Sequence, residues 1–262
     1  MCLVLLAYKI HRDYPLIIAS NRDEYYERRS IPAEFWHEYP DLLAGRDIRG
    51  EGTWLGLTKN GKIGLLTNYR DPKIYKDFAP SRGKIILSYL TGNNDLKSFL
   101  DVLDQSRSVY NPFNLIAGRF DSLYYYSNVN GIIEELKPGV HGLCNHFLNT
   151  PWPKVIKTKQ GLKRIIEGNE VIKIDNLLEL MEDTAQANVD NLPDTGIGMH
   201  FEKILSSIFI KTDVYGTKST TVIFVHQNKE INFYEKSLGI MTSPDRFALK
   251  IGSYGLPYFI SG

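Results

Sequence analysis

The sequence predicts an α+β protein in which helices lie on antiparallel sheet. Two Asn-Gly dipeptides, at 60–61 and 130–131, each separate short β-prone runs, and both positions of this dipeptide accept the positive φ of a tight hairpin turn. The segments with helical periodicity lie in groups between the hairpins, so helices and single strands do not alternate along the chain. This arrangement favours helices on antiparallel sheet over a doubly wound parallel sheet.

The predicted strands begin at the N-terminus. Residues 2–9 and 15–20 are apolar and β-prone, and the polar turn His11-Arg12-Asp13 joins them, which predicts a hairpin. Further strands are predicted, in chain order, at 53–59, 62–68, 113–120, 123–128, 132–136, 219–226 and 231–235.

The predicted helices follow from apolar residues that recur every three or four positions. They cover 81–90, 95–103, 153–167, 174–182 and 201–209. Ser81 and Asn94 precede their helices as N-caps, and Gly92 and Gly168 are placed to stop theirs.

Length and composition exclude several classes of protein. The chain has 262 residues, 43% hydrophobic and 23% charged, which excludes a disordered chain. A formal net charge of +1 argues against nucleic acid as partner. No apolar run approaches the ~18–20 residues that span a bilayer, and Lys9 interrupts the apolar start before a signal-peptide core develops. We therefore expect one cytoplasmic domain over 1–262 without a transmembrane segment.

Cys2 is the first candidate for chemistry. A small second residue usually permits removal of Met1, which would leave an α-amine of pKa about 7.7–8.0 beside a thiol of about 8.5. That amine is suited to act as the base for its own thiol, so nucleophile and base would share one residue. The alternative is a small buried hydrophobe that opens a strand, which is common for free cysteine.

Asn21-Arg22-Asp23-Glu24 follows the second predicted strand, and the hairpin returns it beside Cys2. A cation there, Arg22, would lower the thiol pKa, and a carboxylate, Asp23 or Glu24, would orient the α-ammonium. The alternative is a solvated turn, since four polar residues of both charge signs at a strand end normally face water.

Two asparagines at strand ends, Asn68 and Asn145, carry uncharged amide donors suited to an oxyanion. Losing one such donor typically costs ~3–4 kcal/mol of transition-state stabilisation, although each asparagine alone is also a common turn former. Gly216-Thr217-Lys218-Ser219 opens a late strand without the spacing of a Walker A loop. We keep Thr217 and Ser219 as further candidates for the site.

Because the net charge is near zero, an anion site would be local. Arg22, Arg70 and the basic run over 154–164 are candidates, although such runs are usually solvated helix faces. The six histidines show no metal-ligand spacing, so no structural zinc site is expected.

Several different short motifs follow one another along almost the whole chain. They are Met1-Cys2, Asn21-Arg-Asp-Glu24, Leu43-Ala-Gly-Arg-Asp47, Gly52-Thr-Trp-Leu-Gly56, Leu66-Thr-Asn-Tyr-Arg70, Ser81-Arg-Gly83, Phe113-Asn-Leu115, Gly142-Leu-Cys-Asn145, Thr150-Pro-Trp-Pro-Lys-Val155 and Gly216-Thr-Lys-Ser-Thr220. Together they resemble the NRDE family, the homologues of the transport-and-Golgi-organisation protein 2.

The resemblance implies an N-terminal-nucleophile hydrolase fold, a four-layer α-β-β-α sandwich of two antiparallel sheets. By likeness to the cysteine amidases of that superfamily, Cys2 would be the nucleophile with Arg22 beside it. Asp23 would hold the amine. Asn68 or Asn145 would line the oxyanion site. Those amidases carry Asp three residues after the Arg, where this chain has Tyr25, so Asp23 and Glu24 both stay open as the site carboxylate.

Three functions follow from these observations. The first is an enzyme whose Cys2 attacks the carbonyl of a small-molecule amide and forms a thioester. The second is a carrier or chaperone for haem, an acyl-CoA or a lipid, motivated by the family's association with haem trafficking and by 12% aromatic content. The third is a Golgi- or membrane-associated trafficking factor that uses the basic run. No cofactor is expected, apart from haem as the ligand of a carrier.

Overall fold

A computed structural model describes residues 2–168, 171–238 and 245–251, with Cys2 described by its backbone; Met1 lies outside these residues. The strands are β1 (Cys2–Tyr8), β2 (Leu16–Tyr25), β3 (Ser30–Trp36), β4 (Tyr39–Asp47), β5 (Leu55–Thr58), β6 (Lys62–Asn68), β7 (Phe113–Arg119), β8 (Ser122–Ser127), β9 (Ile132–Glu135), β10 (Gly139–Leu143), β11 (Tyr215–Val225), β12 (Glu230–Ser237) and β13 (Asp245–Lys250). The α-helices are α1 (Gly83–Thr91), α2 (Leu96–Gln105), α3 (Pro153–Glu167), α4 (Ile174–Met181) and α5 (Met199–Ile204).

The strands form two antiparallel sheets. The first has the order β10-β1-β2-β11-β12-β13 and the second the order β3-β4-β5-β6-β7-β8-β9. The second sheet follows chain order, with α1 and α2 in the connection between β6 and β7. The first brings together three distant parts of the chain, so residues near both ends of the sequence meet at its centre.

Helices cover the outer faces of the two sheets. Between the sheets lies one buried apolar cluster, which includes Leu6 and Ile18 from the first sheet and Leu43 and Ile116 from the second. α3 and α4 pack over the first sheet, and α1 and α2 over the second. The structure confirms the α+β class and the four-layer α-β-β-α sandwich. None of the helices in the described residues has the length and apolar character needed to cross a membrane.

The N-terminal hairpin and both Asn-Gly hairpins are confirmed, but four strands were not predicted. β3, β4, β10 and β13 have little apolar alternation. β3, for example, contains Pro32 and has irregular register with β4. Pairing to neighbouring strands, which is not visible in the local sequence, makes these segments extended.

Helix positions agree with the prediction better than helix ends. α3 has the predicted bounds, and Gly92 and Gly168 follow α1 and α3 as predicted. The predicted N-caps were wrong by one residue, since Arg82 and Asp95 occupy those positions. The helix predicted at 201–209 is the six-residue α5.

Candidate active site

The hairpin of β1 and β2 fixes the position of the N-terminal residues. In its register the backbone of Cys2 lies opposite Arg22 and that of Leu3 opposite Asn21. On the other side of β1, Val4 pairs with Leu143, so Asn145 follows β10 at the same end of the sheet. The register therefore brings the start of the chain, the Asn21–Glu24 segment and the end of β10 to one sheet end.

The expectation of a solvated turn at Asn21–Glu24 was wrong. These residues belong to β2, which continues to Tyr25 because β11 pairs along its full length. Asn21, Arg22 and Asp23 are only 0%, 5% and 1% exposed. Burial of polar groups is costly unless they are hydrogen-bonded or paired, so each of these side chains must be accounted for.

Arg22 points between the two sheets. Its guanidinium lies 4.1 Å from the centre of the Trp54 ring, and its two terminal nitrogens donate to Ser30 at 3.3 Å and Asp47 at 3.4 Å. Asp47 also accepts from Arg28 at 2.9 Å. The planar cation is therefore held in one orientation by contacts from the second sheet.

Asp23 is held from the neighbouring strand β11. Thr217 Oγ1 donates to its Oδ1 at 2.7 Å, and the β11–β2 register shifts between Thr217 and Ser219. Burial raises the pKa of Asp23, while the Lys154 ammonium, the Thr217 hydroxyl and the Arg70 guanidinium each act to lower it. The charges of Lys154 and Arg70 thus oppose the effect of burial and favour the ionised form of the carboxyl.

Arg70, one of these two cations, forms a buried ion pair. Arg70 Nη1 donates to Glu202 Oε2 at 2.7 Å, and the Arg70 guanidinium lies 5.0 Å from the centre of the Trp152 ring. Glu202 also accepts from the backbone and the hydroxyl of Thr195. Asp23, Arg70, Lys154 and Glu202 form what we call the buried charge cluster: two carboxylates and two cations.

The two asparagines predicted at the site are in contact. Asn145 Nδ2 donates to the backbone oxygen of Asn68 at 2.9 Å, and its own backbone oxygen accepts from Arg70 N at 2.7 Å. Asn145 is fully buried, whereas Asn68 is partly exposed. Asn145 thus connects the ends of β6 and β10, and Asn68 is presented toward open space.

A cavity of about 370 Å³ opens beside Arg22, Asp23 and Asn68. Among the described residues its lining carries four arginines and four carboxylates, and it also includes Trp54 and the N-terminal end of α1. A volume of this order accommodates a small molecule. The mixed charges indicate a polar ligand or a polar part of one.

The other residues predicted for the site have different surroundings and different hydrogen-bond partners. Asn21 donates to the backbone oxygens of Met181 and Ile208 and accepts from Thr220, so its amide is fully engaged. Glu24 pairs with Arg28 at the cavity. Ser219 lies opposite Arg22, and its hydroxyl is buried without a hydrogen-bond partner in the described part of the chain.

The basic run was only partly a solvated face. Lys157 pairs with Asp183 and Lys163 with Glu167 on the exposed side of α3, but Lys154 is buried. The sequence contains a signal for this, because Lys154 stands four residues before the buried Thr158 and eight before the buried Leu162. Glu202, on a six-residue helix, has no comparable local signal.

Known proteins resemble this chain in sequence and in fold. The family described as Transport and Golgi organisation 2 matches over residues 1–239. A Transport and Golgi organization 2 homolog from Mus musculus is 36% identical to this chain, and the alignment covers 86% of this chain and 87% of the relative. The Homo sapiens homolog is 34% identical, with the same coverage of both chains. A variant of conjugated bile acid hydrolase from Clostridium perfringens shares the fold with a TM-score of 0.52 at 9% identity, over 99% of this chain and 97% of its own.

Proposed function

This chain belongs to the Transport and Golgi organisation 2 family, and we propose that it is an N-terminal-nucleophile hydrolase that cleaves a non-peptide amide. In this proposal Met1 is removed and Cys2 is the nucleophile. One observation carries it: the backbone of Cys2 pairs with Arg22 and lies next to a buried carboxyl, Asp23, at a small polar cavity. A strand end that is merely structural has no need of two buried charges.

The proposed reaction begins with the α-amine of Cys2, which takes the thiol proton. The thiolate attacks the amide carbonyl and forms a tetrahedral oxyanion. Collapse of this intermediate expels the leaving amine, which takes the proton from the α-ammonium, and leaves an acyl thioester on Cys2. Water then attacks the thioester, with the α-amine as base, and releases the carboxylic acid and the thiol. Over one turnover the thiol proton leaves with the amine product, and the attacking water supplies the proton that restores the thiol.

Side chains of the site have distinct roles in this scheme. Asp23 accepts a hydrogen bond from the α-ammonium and so holds the base next to the thiol. Arg22 supplies the cation that favours the thiolate, and its contacts with Trp54 and Asp47 keep it in place. Glu24 is less suited to the role of Asp23, because it pairs with Arg28.

We assign the oxyanion donor to Asn68 and a supporting role to Asn145. Asn68 lines the cavity, whereas Asn145 uses one amide hydrogen on the backbone of Asn68. A donor aimed at the site of developing charge stabilises the transition state by roughly 3–4 kcal/mol. Removing the Asn68 amide should therefore reduce the acylation rate by about 10²–10³-fold.

The lining of the cavity favours this enzyme over a carrier of an apolar ligand. A binding site for haem or an acyl chain needs mostly apolar walls with few polar groups. The lining here includes four arginines and four carboxylates among the described residues. A polar reaction centre accounts for these side chains better than a lipid-binding groove does.

Selective alkylation tests the proposal, since the chain has two cysteines that serve as mutual controls. Cys144 is 2% exposed and packs in the apolar cluster beneath α3. We expect iodoacetamide at pH 7 to modify one thiol quickly, at Cys2, with loss of the signal in Cys2→Ala. Equal slow labelling of both cysteines in the native protein would contradict the proposal.

A further inference from the structure

Lys154 is a buried cation that the scheme above leaves without a role. It is the second residue of α3, it is 3% exposed, and its Nζ has no hydrogen-bond partner in the described residues. Other lysines of the same helix reach partners, as Lys157 does with Asp183 and Lys159 with Asn149. Burial of an ammonium costs several kcal/mol unless charge nearby offsets it.

Val155, the next residue of α3, belongs to the same buried cluster as Leu3 of β1, so α3 brings Lys154 to the layer between helix and sheet where Asp23 also lies. The Lys154 ammonium is the first of the charges that act to lower the pKa of Asp23. Glu202, the other carboxylate of the cluster, already accepts hydrogen bonds from Arg70 and Thr195. Lys154 is therefore matched with Asp23 in charge but has no direct hydrogen bond to it.

Adding the α-amine of Cys2 changes the charge balance of the cluster. Counted by formal charge, Asp23 and Glu202 contribute two negative charges and Arg70 and Lys154 two positive ones, so the cluster is formally neutral. Arg22, on the other face of β2, is balanced separately by Asp47. A protonated α-amine would give the cluster a surplus positive charge in a buried environment, where like charges repel strongly. A neutral α-amine would add no charge to the cluster.

We propose that Lys154 is a positioning residue for the Cys2 reaction, keeping the α-amine in its neutral, proton-accepting form at neutral pH. This inference rests on the proposed function, because it needs a freed amine at Cys2. Asp23 holds the amine in place, and Lys154 prevents that carboxylate from simply trapping it as an ammonium ion. The same repulsion makes the ammonium formed during acylation a better proton donor to the leaving nitrogen.

The test measures the pH dependence of Cys2 alkylation in the processed full chain. Lys154→Met removes the charge at similar length, Lys154→Arg keeps it, and Lys157→Met is a matched control on the exposed side of α3. We expect the midpoint of iodoacetamide reactivity to rise by roughly one pH unit in Lys154→Met. It should change little in Lys154→Arg and Lys157→Met. A Lys154→Met midpoint equal to that of the unmutated protein would overturn the inference.

A second measurement needs no substitution and so does not depend on the stability of a variant. Titration of protein labelled with ¹⁵N-cysteine follows the α-amine of Cys2 directly. We expect its midpoint to lie below the ordinary value of about 7.7, and a midpoint at or above that value contradicts the role of Lys154. If Met1 is retained or Cys2 is unreactive in the unmutated protein, the proposed function fails as well. A reactive Cys2 with an ordinary amine defeats this inference alone.

Discussion

Two parts of β2, residues 16–19 and 21–23, are similarly buried but chemically opposite. Leu16 and Ile18 enter the core between the sheets, and Ile17 and Ala19 enter the core beneath the helices. In the second half, Asn21–Asp23 is just as inaccessible to solvent, yet it places an amide, a guanidinium and a carboxyl on the same two faces.

This difference shows which part of the strand stabilises the fold and which part costs stability. Burying an apolar side chain stabilises the folded state by roughly 1.5–3 kcal/mol, whereas buried charges must first overcome desolvation. Hydrogen bonds from distant segments compensate for the desolvation of the polar half. Arg22 donates to Asp47, and Asp23 accepts from Thr217. Asn21 donates to the backbone oxygen of Met181.

Removing the carboxylate of the polar half should have the largest effect. Asp23→Ala leaves Lys154 without its counter-charge in the buried cluster, and breaking a buried pair in this way typically costs about 3–5 kcal/mol. Urea unfolding at pH 7 measures the change in the free energy of unfolding. A loss below about 1 kcal/mol, the size expected of a surface ion pair, would contradict the pairing of Asp23 with Lys154.

Asn21 should be the next most sensitive position. Asn21→Ala removes the donors to the backbone oxygens of Met181 and Ile208, and each buried group left unsatisfied costs about 1–3 kcal/mol. We expect a loss of roughly 2–4 kcal/mol in urea unfolding. Because Asn21 has no role in the proposed chemistry, variant molecules that remain folded should keep a reactive Cys2. Selective loss of Cys2 reactivity in folded protein would contradict this assignment.

A conservative change in the apolar half should have a smaller effect. Ile17→Val removes one buried methylene from the core beneath the helices, which typically costs 0.5–1.5 kcal/mol. The alkylation rate of Cys2 should stay unchanged, whereas Asp23→Ala should lower it because Asp23 holds the α-amine in the proposed reaction. Similar losses of reactivity in the two variants would mean that general packing, not local charge, controls the thiol.

Glu235 is another buried polar group, and its contribution to stability depends on pH. Burial raises the pKa of Glu235, although Ala33, Thr221 and Ser237 donate hydrogen bonds to it. Its contribution to stability is therefore fully present below its unfolded pKa of about 4.3 and is lost as pH rises through the folded value. Glu235→Gln should gain stability relative to the unmutated protein between pH 4 and pH 8. Urea unfolding across this range should show the gain, and a constant difference would exclude it.

Local sequence predicted the elements whose pattern is regular, such as α3 and the hairpin of β1 and β2. It did not predict β3 or β4, whose extended form depends on pairing with each other and with β5. At the site, the position of Cys2 and the Asn21–Glu24 run drew attention to the right sheet end. The continuation of β2 through that run depends on β11, almost 200 residues later, and no local pattern encodes such a contact.

Partners of the site residues were also beyond local reasoning. Asp47 and Trp54 come from the second sheet and enclose Arg22 only because the two sheets face each other. Glu202 approaches Arg70 from a short helix 132 residues later. Lys154 is different, since helical periodicity marks it as inward-facing, and a charged residue at such a position is itself a signal.

The proposed reaction requires Cys2 to be the first residue of the working protein. The mass of the N-terminal peptide from protein purified from its natural source measures this without any substitution. We expect a peptide that begins at Cys2 with a free α-amine and an unmodified thiol. A peptide that retains Met1 would contradict it, because the nitrogen of Cys2 would then be an amide and could not accept the thiol proton.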